Sequence, residues 1–469
     1  MIEVRSPRTG RVDRLLAPPS PDELTAIASS LRSAQPAWQD CGFAARAEAL
    51  TRWADELRDA AGKLAAVLVA DTGRGYESGM ECAQVEAMAR RWAETAEEQL
   101  APVTRASRAV PGLSLQTGVH PYPLVGVISP WNFPLLLGLI DAIPALAAGC
   151  AVLIKPSEVT PRFITPLQET IDRVPLLRDV VRVVEGAGDV GAAMVGLVDA
   201  ICFTGSVPTG RLVAASAAHA FIPAFLELGG KDAAIVLAGA DLERTSSALL
   251  WGAVANAGQS CLSIERVYVQ ASIHDELVDR LVAKAEKVSL AWPQVEDGMI
   301  GPLIDPAQAD VISAQLEDAV AKGARVRTGG TIERHGGGFW IRPTVLTEVD
   351  HRMAVMREET FGPLLPVMRF ADVEDAVTLA NDSAYGLSGA VFGPDPDAAA
   401  AVGRRLQVGA VSINDAALTA LVHEGEKNSF RASGLGGSRM GASSIRRFVR
   451  TQTLITNPSP RRDPWWHTP

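Results

Sequence analysis

A cysteine, a glutamate and an asparagine stand in settings suited to chemistry: Cys261 in "GQSC", Glu227 in "FLELGGK" and Asn132 in "PWNFP". Cys261 follows "WGAVANAGQS", a helix-like run ending in Gly258, and precedes the strand-like "ERVYVQ". That puts a thiol in a polar connection, the kind of loop on which a rigid scaffold displays functional groups. As a thiolate it would be a nucleophile. The plainer reading of a free cysteine, a small buried hydrophobe, fits Cys150 in "AAGCAVL" and Cys202 in "AICFTG". Glu227 lies between apolar neighbours at a strand end, followed by two glycines that let backbone or ligand approach closely. A carboxylate so placed suits general-base work; a strand-edge glutamate facing water is the alternative. Trp131 and Asn132 sit in a turn bracketed by Pro130 and Pro134. A held amide there could donate to a developing oxyanion, although taken alone the stretch is a turn.

A second kind of chemistry is suggested by "VEGAGDVGAAM", in which Gly186, Gly188 and Gly191 match the glycine fingerprint of a dinucleotide-binding turn. The fingerprint also asks for an acidic residue about 20 positions on, at the end of the next strand. Here the next strand, "DAICFTGS", ends in Gly205 and Ser206. An ordinary strand-to-helix connection therefore stays open beside the cofactor reading. The seven histidines are scattered and no Cys-x-x-Cys occurs, so no metal site is expected.

These residues must be positioned by regular elements. The first hundred residues have helical spacing in "PDELTAIASSLRSAQPAWQ" and "ARAEALTRWADELRDAAGKLAAVLVA". From Val125 short apolar runs alternate with helical patterns: "VGVIS", "AVLIKPS", "VVRVVEG", "AICFTGS" and "FLELGG". A second series begins near Ala233 with "AAIVLA", "ERVYVQ", "ARVRTGG", "LPVMRF" and "GAVFG". Such alternation predicts two α/β units, each a parallel sheet with helices on both faces. The tail "VRTQTLITN" alternates like an exposed strand that could complete another subunit's sheet. Residues 124 to 154 are apolar enough to mimic a membrane span, but Pro130, Asn132, Pro134, Asp141 and Pro144 interrupt them. A strand, a polar loop, a buried helix and a second strand are expected there instead. The start has neither signal-peptide nor transit-peptide character. Five widely spaced cysteines favour a reducing compartment, and a cytoplasmic protein is expected. Net charge −10 disfavours nucleic acid and anionic membranes as general partners. The arginines Arg446, Arg447, Arg450, Arg461 and Arg462 form the one basic concentration, read as a solvated face or subunit contact.

Taken in order, "SPWNFP", "IKPSEVTP", "FTGS", "LELGGK", "GQSC" and "EETFGP" resemble the NAD(P)-dependent aldehyde dehydrogenase superfamily, over about residues 7 to 456. The resemblance implies a Rossmann-like cofactor domain (1–106 and 123–231), an α/β catalytic domain (232–446) and a small β oligomerisation segment (107–122 and 447–469). It implies that Cys261 attacks an aldehyde, that Asn132 and the Cys261 N–H hold the oxyanion, and that Glu227 activates the water releasing a carboxylic acid. Lys155 and Glu158 are implied at the adenosine ribose, Ser157 among the cofactor-binding residues, Gly205 and Ser206 at the pyrophosphate, and Gly188 beside the adenine end. Glu359 is implied at the nicotinamide ribose, with Phe361 and Trp131 along the same cleft. A carboxylate at 158 repels a 2′-phosphate, so NAD is expected, with NADP possible.

The chain departs from the family's usual C-terminal pattern in "NSFRASGLGGSRMG", residues 428 to 441, where Arg431 replaces a glycine and no acid follows the last glycines. A second proton-relay acid is thereby put in doubt. Phe133, Leu137, Ser260, Leu262 and Phe430 are the expected tunnel residues, with plain core packing as the alternative. Lys427, Arg431 and Arg439 could meet a substrate carboxylate, or be surface charges. A coenzyme A-acylating relative and a catalytically silent protein on the same fold are the competing functions, and a homodimer or homotetramer is expected.

Overall fold

The computed structural model describes residues 1–458; Arg461, Arg462 and the remainder of the expected oligomerisation segment lie outside them. After an antiparallel strand pair (Ile2–Arg5 and Val12–Leu16) come four helices: Pro21–Asp40, Gly42–Asp59, Ala61–Thr72 and Tyr76–Leu100. The first is started by a capping box, in which the Ser20 side chain accepts from the Glu23 N–H and the Glu23 carboxylate accepts from the Ser20 N–H. Tryptophans fasten this helical layer to later parts of the chain. Trp38 Nε1 donates to Leu146 O (3.1 Å), and Trp53 Nε1 to Thr170 Oγ1 (3.0 Å).

Two large sheets carry the rest. One runs in the order Gly434–Leu435, Ala224–Glu227, Ala200–Thr204, Leu124–Ile128, Ala151–Lys155, Val181–Val183. All its pairings are parallel except that of the two-residue edge strand Gly434–Leu435. Three strands, Leu124–Ile128, Ala151–Lys155 and Ala200–Thr204, are buried at every position. Their uninterrupted apolar sequences have this cause: both faces of the sheet are covered. The other sheet runs Arg325–Thr328, Thr344–Thr347, Leu364–Phe370, Ile264–Gln270, Asp232–Val236, Ser388–Phe392, Ala410–Ile413. Here the expectation of a wholly parallel set fails at one edge, where Arg325–Thr328 pairs antiparallel with Thr344–Thr347. Only the small hairpin Ile332–His335/Gly338–Ile341 separates the two, with no crossover helix to bring the chain back parallel.

The apolar stretch 124–154 resolves into the strand Leu124–Ile128, two short helices (Pro134–Leu139 and Ala142–Ala148) and the strand Ala151–Lys155. It has two helices where one was expected, because Pro144 has no N–H to give to Ile140 O and so cannot continue the first helix; between them the buried Asp141 carboxylate pairs with Arg439 and Arg447. Among the described residues no helix is long and apolar enough to cross a membrane. A three-stranded sheet of Val449–Thr456, Ser114–Pro121 and Val103–Ala106 stands apart. Its first strand begins before residue 107. Leu454 and Ile455 are exposed on it.

Candidate active site

Open α/β sheets bind ligands beyond the carboxyl ends of their strands, where strand order reverses. The six-stranded sheet reverses between Leu124–Ile128 and Ala200–Thr204. Beyond those ends lie Trp131 and Asn132, then Lys155, Ser157 and Glu158, then Gly205 and Ser206, then the glycines after Glu227.

The Asn132 turn is braced from the helical layer. Leu136 N–H donates to Glu81 Oε2 (2.9 Å), Glu81 pairs with Arg74 (2.7 Å), and the Arg74 guanidinium lies 4.5 Å from the centre of the Phe133 ring. Asn132 is buried, and its Nδ2 donates to Gln259 O (3.1 Å). Asn256 Nδ2 donates to that same carbonyl (2.9 Å) and to Asn132 O (3.1 Å), so the turn and the cysteine loop are tied together.

That loop begins where the helix Leu242–Val254 ends. Asn256, Ala257 and Gly258 all adopt left-handed conformations (φ 53°, 52° and 72°), reversing the chain. At Gly258 a Cβ would lie 2.2 Å from Gly362 C, so only glycine lets the loop pack on "EETFGP". Gln259 anchors the far side: Nε2 donates to Pro302 O (3.2 Å) and Oε1 accepts from Ile304 N–H (2.8 Å). Glu77 Oε1 accepts from Asn256 N–H (2.9 Å). Cys261, half-buried, therefore sits on a loop held from three directions.

Glu227 and Cys261 are joined through the two glycines. A Cβ on Gly230 would lie 2.3 Å from Cys261 O, and one on Gly229 would lie 2.4 Å from Glu359 Oε2. Side chains there would push the strand end off both the thiol loop and Glu359. Glu227 Oε2 accepts from Ser429 Oγ (2.9 Å) and Glu359 Oε1 from Gly230 N–H (3.0 Å). Beneath them, fully buried Lys231 pairs with Glu265 (2.7 Å), whose carboxylate also accepts from the N–H groups of Thr360 (2.7 Å) and Phe361 (2.8 Å). Phe361 meets Trp131 edge-on, ring centres 5.4 Å apart.

Burial dominates the electrostatics. It pushes the Cys261 thiol up to about 12; Lys427 pulls it down, while Glu359, Asp232 and Glu227 add to the rise. Burial, with Glu265 nearby, raises the Glu359 carboxyl to about 8. Among the three cations expected to meet a substrate carboxylate, the structure separates the roles. Arg439 donates to Asp141 Oδ2 (2.7 Å) and to Thr204 Oγ1. Arg431 is spent on Asn381 O (2.6 Å), Ser383 O and Gln407 Oε1, away from the thiol. Lys427 remains, buried and without an ion pair among the described residues.

At the cofactor end, Lys155 is buried, its Nζ donating to Gly186 O (2.9 Å) and lying 3.7 Å from Glu158 Oε2. Ser157 Oγ accepts from Val159 N–H (3.2 Å). Ser206 caps the 14-residue helix Val207–Ala220, whose first turn carries no acid. Its positive end is thus available to an anion. Gly188 opens the helix Gly188–Val195, and a Cβ there would meet nothing within 4 Å. The residues fit a dinucleotide: a cationic ammonium, a carboxylate for hydroxyls, and an unscreened helix N-terminus.

A cavity of about 520 Å³ reaches the thiol loop, lined by Phe133, Ser260 and Leu262 together with Met80, Leu250 and Trp251 among others. Leu137 and Phe430 do not line it. Leu137 packs against the core around the six-stranded sheet, and Phe430 is held at Gly386, where its N–H donates to Gly386 O (2.8 Å). Sequence reasoning missed Asn256, Gln259, Glu77 and the Lys231–Glu265 pair. Their partners are remote in sequence, and only the polar character of "ANAGQS" hinted at the first two.

The model of the aldehyde dehydrogenase family matches residues 1–454. The solved Anabaena variabilis chain named "Putative Aldehyde Dehydrogenase PutA" is 53% identical, with TM-score 0.98 and full coverage of both chains. A Mycolicibacterium smegmatis protein named "Putative succinate-semialdehyde dehydrogenase", of NADP(+) type, is 35% identical over 97% of this chain and 89% of its own. Betaine aldehyde dehydrogenase from Staphylococcus aureus, solved with NAD+, is 29% identical, with TM-score 0.92 over 99% of this chain and 93% of its own. By the family model over residues 1–454 and by these relatives, the chain belongs to the aldehyde dehydrogenase family, NAD(P)-dependent enzymes that oxidise aldehydes.

Proposed function

We propose that this protein oxidises aldehydes with an apolar body to carboxylic acids, using NAD in preference to NADP. The observation that carries the substrate class is the cavity of about 520 Å³ whose lining includes Ser260 and Leu262, the two neighbours of Cys261 in the chain. Its volume is that of a site for a small organic ligand, and Met80, Phe133, Leu250, Trp251 and Ile300 give it an apolar wall.

The bound nicotinamide would supply the hydride acceptor. The protein's part is covalent catalysis: the Cys261 sulfur attacks the aldehyde carbon, and the Asn132 amide and Cys261 N–H stabilise the oxyanion. Removing such a donor typically costs about 2.7–4 kcal/mol. Once the carbon is oxidised the acyl group is a thioester on Cys261, and Glu227 takes a proton from the water that hydrolyses it. Ser429, donating to Glu227, orients that carboxylate. Glu227 at this position supports hydrolysis over transfer to coenzyme A, and the intact Cys261, Glu227 and Asn132 set argues against a silent protein. The NAD preference rests on Glu158, partly exposed beside Lys155, where it would repel a 2′-phosphate. The Val449–Thr456 strand supports a homodimer or homotetramer, since its exposed edge invites pairing. A cofactor unit and a catalytic unit centred on the six- and seven-stranded sheets complete the proposal.

Octanal, benzaldehyde, acetaldehyde and succinic semialdehyde, assayed by NADH absorbance with and without coenzyme A, test it. The expected ranking places octanal and benzaldehyde first in kcat/KM, with no requirement for coenzyme A. Preference for succinic semialdehyde would overturn the substrate class. Activity surviving Cys261→Ala would overturn the mechanism. Glu227→Gln is expected to accumulate acyl-Cys261, seen by intact mass.

A further inference from the structure

The helix Tyr76–Leu100 sends two carboxylates toward the site that the reaction itself does not use, Glu77 and Glu81. Four residues apart, they share one face of the helix, separated by about 6 Å of rise along its axis. Both are buried, Glu81 completely. Each accepts from a backbone N–H of a different loop of the site. Glu77 Oε1 accepts from Asn256 N–H (2.9 Å), in the reversal that leads to Cys261. Glu81 Oε2 accepts from Leu136 N–H (2.9 Å), in the short helix that follows Asn132. Leu136 stands in the first turn of that helix, where an N–H has no partner within the helix, and Phe133 supplies no side-chain cap.

Arg74 completes the arrangement from three residues before Glu77. Its Nη2 donates to Glu81 Oε1 (2.7 Å), and both side chains are shut off from solvent. Both Glu81 oxygens therefore receive donors. The same guanidinium lies 4.5 Å from the centre of the Phe133 ring, next in the chain to Asn132. The oxyanion donors, the Asn132 amide and the Cys261 N–H, come from these two loops, and such donors serve only where they converge on one oxygen. One turn of hydrogen-bonded helix stands behind both loops and sets their separation. A shift of about 1 Å between such groups can cost about 10²-fold in rate.

We propose that Glu77 and Glu81 are positioning residues for the oxyanion hole: from one helix face they hold the Cys261 loop and the Asn132 turn at the separation where the two donors converge. This rests on the reading of Asn132 and the Cys261 N–H as oxyanion donors. A role in stability alone would leave the effect of Glu81 independent of Asn132, whereas positioning couples the two.

The test is a double-mutant cycle on kcat, with the best aldehyde of the panel and NAD, made from Glu81→Gln and Asn132→Ala. Glutamine offers one acceptor and one donor where Arg74 and Leu136 both donate, so one contact is lost. Glu81→Gln is expected to lower kcat by about tenfold or more and to change KM by less than about twofold. On top of Asn132→Ala it should cost less than about twofold, because the amide it positions is already gone. Glu77 also lines the cavity, so size and acceptor are separated by two variants. Glu77→Gln keeps an acceptor for Asn256 N–H and should retain kcat within about threefold, whereas Glu77→Ala should lose about tenfold or more. Melting temperature and NAD binding establish folding. Should Glu81→Gln not fold, Arg74→Met/Glu81→Leu replaces the buried pair with apolar groups, a change often neutral for stability, and takes its place in the cycle. An unchanged kcat overturns the proposal for Glu81, as do losses that multiply in full with Asn132→Ala; Glu77→Gln as slow as Glu77→Ala overturns it for Glu77. Asn132→Ala alone separates the two levels: wild-type kcat there removes the oxyanion reading itself, whereas a slow Asn132→Ala with full multiplication rejects only the positioning role.

Discussion

Asn132 illustrates how a single residue can be tested without disturbing the fold. Its Nδ2 donates to Gln259 O, but Asn256 donates to the same carbonyl, so truncation leaves no buried acceptor bare. Asn132→Ala is therefore expected to lower kcat by about 10²- to 10³-fold with little change in Tm. Glu359 makes a different prediction. Burial, its largest influence, raises its carboxyl from 4.5 to about 8. Between those values the folded protein holds a proton that the unfolded chain has released, so this group's stabilisation falls as pH rises through the window. Thermal melts of Glu359→Gln and wild type from pH 5 to 9 should show the variant gaining relative stability toward high pH. A constant difference would contradict the raised value.

Among the elements, the reversal at 255–263 does most to shape the site. Asn256 holds a left-handed backbone (φ 53°) and supplies two side-chain hydrogen bonds, to Asn132 O and Gln259 O. Asn256→Ala loses both bonds and places alanine in a conformation that asparagine tolerates better. Stability is expected to fall by about 1–3 kcal/mol, with kcat falling more than KM rises, measured by denaturant unfolding and steady-state kinetics. The helix Leu242–Val254 contributes to selectivity by presenting Leu250, Trp251 and Val254 to the cavity. Leu250→Trp should cut kcat/KM for octanal by about tenfold or more and leave acetaldehyde nearly unaffected. Equal losses on both would mean the helix does not line the substrate's path.

For the whole molecule, the three-stranded sheet is the testable feature. Val449–Thr456 pairs with Ser114–Pro121 over all eight residues, yet its side chains stay mostly exposed. Truncation after Phe448 removes that strand and is expected to shift the protein toward monomer in light scattering. An unchanged mass would place the subunit contact elsewhere. The same sheet shows what patterning reveals: "VRTQTLITN" alternates as an exposed strand should, and a strand forms there.

The sequence by itself determined the central strands of both sheets, because buried parallel strands must be apolar throughout. It also singled out Cys261, Glu227 and Asn132, each with a plainer reading of its own, as the residues whose types suit one chemistry together. It marked Gly229 and Gly230, whose missing side chains leave room for Cys261 O and Glu359. Only the tertiary structure decided which partners the cations of one segment take. Lys427, Arg431 and Arg439 lie within 13 positions of one another in one segment and read alike as sequence. Folding gives Arg439 to Asp141, a residue of the short-helix stretch after Asn132, and Arg431 to backbone carbonyls, and leaves Lys427 buried without an ion pair among the described residues. The physical reason is that a charge takes its role from the groups burial places around it, and those partners come from strands and loops far away in the chain.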